Sequence, residues 1–276
     1  MNEEFTKAEI VDFQKLHTGV ALVLKQAENV LLQSFGQVHE ISVKKGVSSQ
    51  AALVTEVDQK VDDLFRNKLA KLFPEYGFIT EEGKQTGLRE YNWIIDPLDG
   101  TTNYLHGFPL FGISIALWHR NEPLYGCISL PKFGQRLYGW KNGGAWLNGE
   151  QLHPKIPVAP KPMVLIAPVA DPSDHGKIIE TIGELLAAPR DFGCCVYQGF
   201  ETITGKADVD IMYKLSLWDI GAIVLLAKEA SLVVEYVSAK PDLQTEDPKA
   251  YAHTVIIGNQ QFKEKIQQLP GLLELL

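Results

Sequence analysis

The segment that most constrains this chain is Trp93-Ile94-Ile95-Asp96-Pro97-Leu98-Asp99-Gly100-Thr101-Thr102-Asn103. Its apolar start reads as a buried strand that delivers Asp96 to its C-terminal edge. Pro97 stiffens the exit, and Asp99 returns a second carboxylate to the same point. Two acids at one strand end invite a hard cation. Gly100 has no side chain to block a ligand, and a helix starting near Thr101 turns its free N–H groups toward an anion such as phosphate.

Three further acids stand at comparable places. Glu81 and Glu82 follow a strand-like run over Gly77–Thr80, and Asp58 lies in the first turns of a helical pattern that follows Leu53 and Val54. Asp219 directly precedes an apolar helix over residues 220–230 and is its natural N-cap. Taken singly, each has a structural reading: Asp58 as part of a T-x-x-D helix start, Asp219 as a cap, Glu81-Glu82 as a solvated loop. Gathered in one site, Asp58, Glu81, Asp96, Asp99 and Asp219 repel one another until cations or protons relieve them. All-oxygen donors, with no soft sulfur ligand or histidine cluster to compete, suit Mg²⁺.

Around these acids the chain reads as alternating helix and strand. Residues 5–35 form one amphipathic helix closed by Gly36, and short strands follow near 77–80, 93–95, 111–118, 124–130 and 136–140. Asn148-Gly149 marks a turn. The proline-rich stretch 153–162 is the candidate boundary between an N-terminal α+β half (1–154), carrying most of the acids, and a C-terminal α/β half (155–276), carrying Asp219. The two halves are equally compatible with one continuous domain. Beyond the boundary come strands at 163–167, 208–212, 232–237 and 254–257 and helices at 174–186, 196–204, 220–230 and 260–268.

Composition narrows the partners. Twenty-six Lys and Arg against 34 Asp and Glu give a net charge of −8, so nucleic acid is not an expected partner. No apolar run approaches the roughly 18 residues of a membrane span. The start, from Met1 to Ile10, lacks the basic and apolar regions of a secretory signal, and three cysteines form no disulfide framework; a cytoplasmic location is expected. Cys194-Cys195 read as buried structural thiols, and His106 is the one histidine close to the acidic turn.

Asp58, Glu81-Glu82, the D-P-L-D-G-T-T-N element at 96–103, and Trp218-Asp219-Ile220-Gly221-Ala222 ending in Glu229-Ala230 resemble the inositol monophosphatase family of Mg²⁺-dependent, lithium-sensitive phosphatases. Order and spacing agree over roughly residues 53–229. The resemblance implies a layered sandwich of the sugar-phosphatase type, α+β then α/β, with alternating helix and sheet layers and metals between the halves. Glu81, Asp96 and the Leu98 carbonyl would hold a first Mg²⁺; Asp96, Asp99 and Asp219 would hold a second. Asp58 would act through a third ion or a water. Glu81 and Thr101 would orient the attacking water, and amides at Gly100, Thr101 and Thr102 would hold the phosphate. A small phosphorylated metabolite is the implied partner, inositol 1-phosphate the default substrate, and a homodimer the implied assembly.

The chain also departs from the family. Inositol-specific members place a substrate-binding glutamate seven residues before the Trp-Asp aspartate, where this chain has Met212. Asp210 is an alternative acid there, and Lys214 would favour a second anionic group. Cys195, Met212 and Lys214 are therefore the candidate substrate contacts, with loops 171–175 and 190–195 around them. Histidinol phosphate, fructose 1,6-bisphosphate, NADP⁺ and a nucleotide 3′-phosphate stand as alternative substrates, and a non-catalytic scaffold as the alternative class.

Overall fold

The computed structural model describes residues 11–36, 41–43, 53–83, 87–153, 162–167, 172–183, 188–243, 253–261, 264 and 276. The chain begins with α1 (Phe13–Ser34), whose N-cap Asp12 accepts the Lys15 N–H at 3.0 Å. It buries Leu16, Val20, Val23, Leu24, Ala27 and Leu31, the three-to-four spacing expected of one apolar stripe. A two-stranded ribbon, β1 (Ile41–Val43) with β2 (Leu53–Thr55), precedes α2 (Glu56–Leu72). Residues 53–55 are strand, and the helix that the pattern places after Leu53 and Val54 begins at Glu56.

A seven-stranded sheet follows, ordered β3 (Gly77–Thr80), β4 (Tyr91–Asp99), β5 (Gly112–His119), β6 (Glu122–Leu130), β7 (Gln135–Trp140), β8 (Ala145–Leu147) and β9 (Glu150–Gln151). Only β3 and β4 pair in parallel. Helix α3 (Thr101–Leu105) interrupts it between β4 and β5. The β8–β9 hairpin turns on Asn148 (φ 51°) and Gly149 (φ 92°), the two positive values that an Asn-Gly turn provides.

The rest of the chain builds β10 (Met163–Ile166), α4 (Pro172–Ile182), β11 (Ala188–Arg190), α5 (Cys195–Ile203), β12 (Val209–Leu215), α6 (Leu217–Ile220), α7 (Ile223–Glu229), β13 (Val233–Tyr236) and β14 (His253–Gly258). Its five-stranded sheet runs β11-β10-β12-β14-β13.

Period-two alternation assigns the layers. Trp93, Ile95, Ile115 and Leu117 face α1 and α2, whereas Ile94, Ala116 and Trp118 face α5 and α7. Met212, Val255 and Ile257 meet the same helices from the second sheet, whose other face packs Val164, Ile211 and Ile256 on α4. The order is helix, sheet, helix, sheet, helix, which is the expected layered sandwich. Both faces of β4 and β5 are covered, so they read as unbroken apolar runs. Each such Ile or Leu contributes about 2 kcal/mol by burial.

Two expectations are corrected. The strand does not end at Ile95 but runs on to Asp99, because Pro97 falls where the pairing with β5 shifts register between Asp96 and Asp99 and no ladder N–H is needed. The helix expected over 220–230 is two helices. The break lies at Gly221, whose carbonyl accepts the Trp118 indole N–H at 3.2 Å. Pro154, Pro157 and Pro160 of the expected boundary, Asp171, and residues 184–186 and most of 260–268 of the expected helices lie outside the described residues.

Candidate metal centre

Four elements bring the acids together. β4 supplies Asp96, 1% exposed, and past the register shift Asp99; the first turn of α2 supplies Asp58, 3% exposed. The turn after β3 supplies Glu81, and α6 supplies Asp219. Burial first, then the charges of Glu81, Asp99, Asp219 and Asp58, push the Asp96 carboxyl well above the usual range. Burial and Asp99 likewise raise Asp219, to about 8, against the opposing hydrogen bonds from Ser216 and Asp96. Asp99 is raised by burial, partly offset by hydrogen bonds from Cys194, Val196, Cys195 and Gly100. The charges that raise Asp96 are its neighbouring carboxylates, so the cluster calls for protons or cations.

Local structure fixes the donors. The Leu98 N–H donates to Asp96 Oδ1 at 2.9 Å, and Thr101 Oγ1 donates to the Leu98 carbonyl at 2.9 Å, leaving that carbonyl a second lone pair. Gly100 adopts φ +82°, and a Cβ there would sit 2.8 Å from the Leu110 carbonyl and 3.0 Å from Cys194 Cβ, so only glycine fits. The first bond of α3 runs from Tyr104 N–H to the Gly100 carbonyl at 2.9 Å. The Thr101 and Thr102 N–H groups precede it and are left for an outside acceptor, as a phosphate would be.

Asp219 is not the N-cap expected of it. Ser216 is the cap, and Asp219, three residues on, accepts the Ser216 N–H at 2.8 Å in a capping box that fixes one carboxylate oxygen. The turn bearing Glu81 is tied to the Asp58 helix through Arg66, which donates to Asp62 Oδ2 at 2.8 Å and to Thr80 Oγ1 at 2.5 Å.

The substrate candidates fare differently. Cys195 is 3% exposed, and its Sγ lies within 4.8 Å of carboxylate oxygens of Asp99 and Asp219. Met212 has no solvent exposure and packs in the apolar core, so it presents nothing to a dissolved ligand. Lys214 is exposed, at φ +50°, with Nζ 3.3 Å from Asp174 of α4. Asp210 is also fully buried, and its carboxyl is raised to about 8 by burial and by Asp191. His106 is exposed beside the site, with Nδ1 2.8 Å from the Thr102 carbonyl.

Some supporting residues went unread. Cys194 Sγ and the Val196 N–H donate to Asp99 Oδ2 at 2.8 and 2.6 Å, joining the start of α5 to the end of β4. Asn103 Nδ2 donates to the Leu110 and Phe192 carbonyls at 2.9 and 2.7 Å. Its place at the end of the D-G-T-T-N run was the available signal; the contact with Phe192, 89 residues away, was not legible locally.

The carboxylates and the Leu98 carbonyl fit a hard divalent ion, with the Cys195 thiol the one soft group beside them among the described residues. Comparison with known proteins agrees. The family model described as the inositol monophosphatase family matches residues 12–270. A Thermotoga maritima fructose-1,6-bisphosphatase/inositol-1-monophosphatase is 27% identical over 86% of this chain and 88% of its own. A Mesorhizobium japonicum inositol-1-monophosphatase is 31% identical over 79% and 84%. An IMPase/NADP phosphatase solved with Mg²⁺ and phosphate superposes with a TM-score of 0.78 at 22% identity, covering 95% of each chain.

Proposed function

Because the chain belongs to the inositol monophosphatase family, whose members are phosphatases, we propose that it hydrolyses a small phosphomonoester with Mg²⁺, inositol 1-phosphate being the default substrate. The observation that carries this reading is the convergence of Asp58, Glu81, Asp99 and Asp219 on the buried Asp96 beside the free amides of α3. Two ions, with a third near Asp58, are the proposed complement; Glu81, Asp96 and the Leu98 carbonyl hold one, and Asp96, Asp99 and Asp219 the other.

Bound divalent ions supply the positive charge that binds phosphate, activates water and stabilises the leaving oxygen. The chain's own groups do the rest. The Thr101 hydroxyl spends its proton on the Leu98 carbonyl, so its free lone pairs accept from a water and aim it. Glu81 takes the proton of that water, with Asp58 behind it. The phosphate rests on the Thr101 and Thr102 amides at the start of α3; the Gly100 amide, which the resemblance would add, already donates to Asp99. In-line attack by water needs no phosphoenzyme.

The relatives named above divide between inositol monophosphate, fructose 1,6-bisphosphate and NADP phosphatases. With Met212 buried, a carboxylate contact to a substrate diol is missing at that position, which keeps those alternatives in play. The test is phosphate release from inositol 1-phosphate, histidinol phosphate, fructose 1,6-bisphosphate, NADP⁺ and 3′-phosphoadenosine 5′-phosphate, each with Mg²⁺ and with EDTA. One Mg²⁺-dependent substrate well above the rest is the expected result. Release unaffected by EDTA refutes the metal mechanism, and silence without Mg²⁺ binding favours a scaffold.

A further inference from the structure

Cys195 brings a soft donor into a site otherwise built of oxygen. It opens α5, is 3% exposed, and places Sγ within 4.8 Å of carboxylate oxygens of both Asp99 and Asp219. Those three atoms come from three separate elements, so their convergence is tertiary and owes nothing to sequence proximity. In a tetrahedral site, metal–sulfur bonds of about 2.3 Å and metal–oxygen bonds of about 2.1 Å set sulfur and oxygen roughly 3.6 Å apart. Contraction by about 1 Å, within reach of one side-chain torsion, closes the triangle on an ion.

Both thiols bond Asp99, but only Cys194 is also tied down as the cap of α5, and only Cys195 groups with oxygens of both Asp99 and Asp219. Cys194 Sγ donates to Asp99 Oδ2 at 2.8 Å and accepts the Tyr197 N–H at 3.3 Å as the cap of α5. Cys127 lies in the other apolar cluster, between the first sheet and α1. Cys195 is therefore the thiol placed to act as a ligand.

We propose that Cys195 is a soft fourth ligand at the second metal position, so that Asp99, Asp219 and Cys195, with the shared Asp96, take a thiophilic divalent ion such as Zn²⁺ or Cd²⁺ in preference to Mg²⁺. Thiolates favour such ions, whereas Mg²⁺ gains nothing from sulfur. The step moves no electrons between partners: the Cys195 S–H bond breaks, the sulfur pair forms the metal bond, and the proton leaves to water. A cell rich in free thiophilic ions would then see this position withdrawn from Mg²⁺ chemistry. The inference rests on the metal-centre reading above.

The test is to titrate the reduced, metal-stripped full chain with Cd²⁺ alone and follow the near-ultraviolet thiolate-to-metal charge-transfer band. The wild-type protein and Cys127→Ser are expected to show a band saturating at one equivalent and displaced only by large excess of Mg²⁺. Cys195→Ser is expected to lose the band and to weaken Cd²⁺ binding at least about tenfold. Cys195→Ala provides a second variant, with circular dichroism confirming that either is folded. No band in the wild-type protein overturns the proposal, as does a band kept by Cys195→Ser and lost by Cys194→Ser. Mg²⁺-dependent phosphate release is scored in parallel on the wild type. Release without a band defeats the sulfur ligand alone, and a band in a protein that neither releases phosphate nor binds Mg²⁺ defeats the phosphatase reading while leaving the ligand.

Discussion

Asp210 gives the sharpest energetic prediction. It sits on the central strand β12, between Leu165 of β10 and Ile257 of β14, with no solvent exposure. Burial first, then the nearby Asp191 charge, raise its carboxyl to about 8, with Gln198 acting the other way. Because the folded-state value lies above the unfolded one, the protonated carboxyl contributes stability that is intact below about pH 4 and is lost as pH rises toward about 8. The slope is about 1.36 kcal/mol per pH unit, so about 4 kcal/mol accrues between pH 4 and pH 7 as a ceiling. Relaxation and water entry reduce it, and about 2 kcal/mol is the least expected. Asp210→Asn cannot titrate. Denaturant unfolding of both proteins at pH 4.5, 6 and 7 cancels all shared titrations, and the variant is expected to gain on the wild type at each step upward. Parallel stability curves would refute the buried-acid argument. Loss of Mg²⁺-dependent turnover in Asp210→Asn would instead show the acid reaching substrate, as an exposed group would.

Other outcomes follow from the site. Asp96→Asn removes the shared ligand and is expected to lower kcat by more than about 100-fold and abolish the Mg²⁺-induced rise in Tm, read by phosphate release and thermal unfolding. Gly100→Ala forces a Cβ at φ +82° to within 2.8 Å of the Leu110 carbonyl and is expected to cost about 1–3 kcal/mol, measured by denaturant unfolding. Met212→Glu places a charge in the apolar core and is expected to lose several kcal/mol without gaining inositol 1-phosphate turnover; a stable, faster variant would show that the side chain reaches the cleft.

Much of this was legible in the letters. The continuous apolar run of β4 announced a strand covered on both faces, and the acids at its end announced where a ligand would go. The helical period recovered α1 and α2, each with one buried stripe, and short continuous apolar runs recovered β3 and the strands on either side of β12, which are buried on both faces. What stayed hidden depends on partners distant in sequence. The break at Gly221 is set by Trp118, 103 residues away, and the burial of Met212 by a second sheet closing over the same helices. Asp219 was read as a cap because it precedes an apolar helix; Ser216 three residues earlier held the signal for a capping box. Cys194 and Cys195 read as buried structural thiols, Cys195 also as a candidate substrate contact, because letters cannot show that α5 starts against Asp99.

The central claim is that the buried acids are a cation site, and isothermal titration of the metal-free protein with Mg²⁺ tests it most directly. Asp96 and Asp219 are held above their usual range in the absence of ions, so Mg²⁺ must displace protons to bind at pH 7. The account predicts saturable binding at millimolar Mg²⁺ or below, with heats that change between buffers of different ionisation enthalpy, and its loss in Asp96→Asn. No Mg²⁺ binding by the folded wild-type protein at millimolar concentration would contradict it.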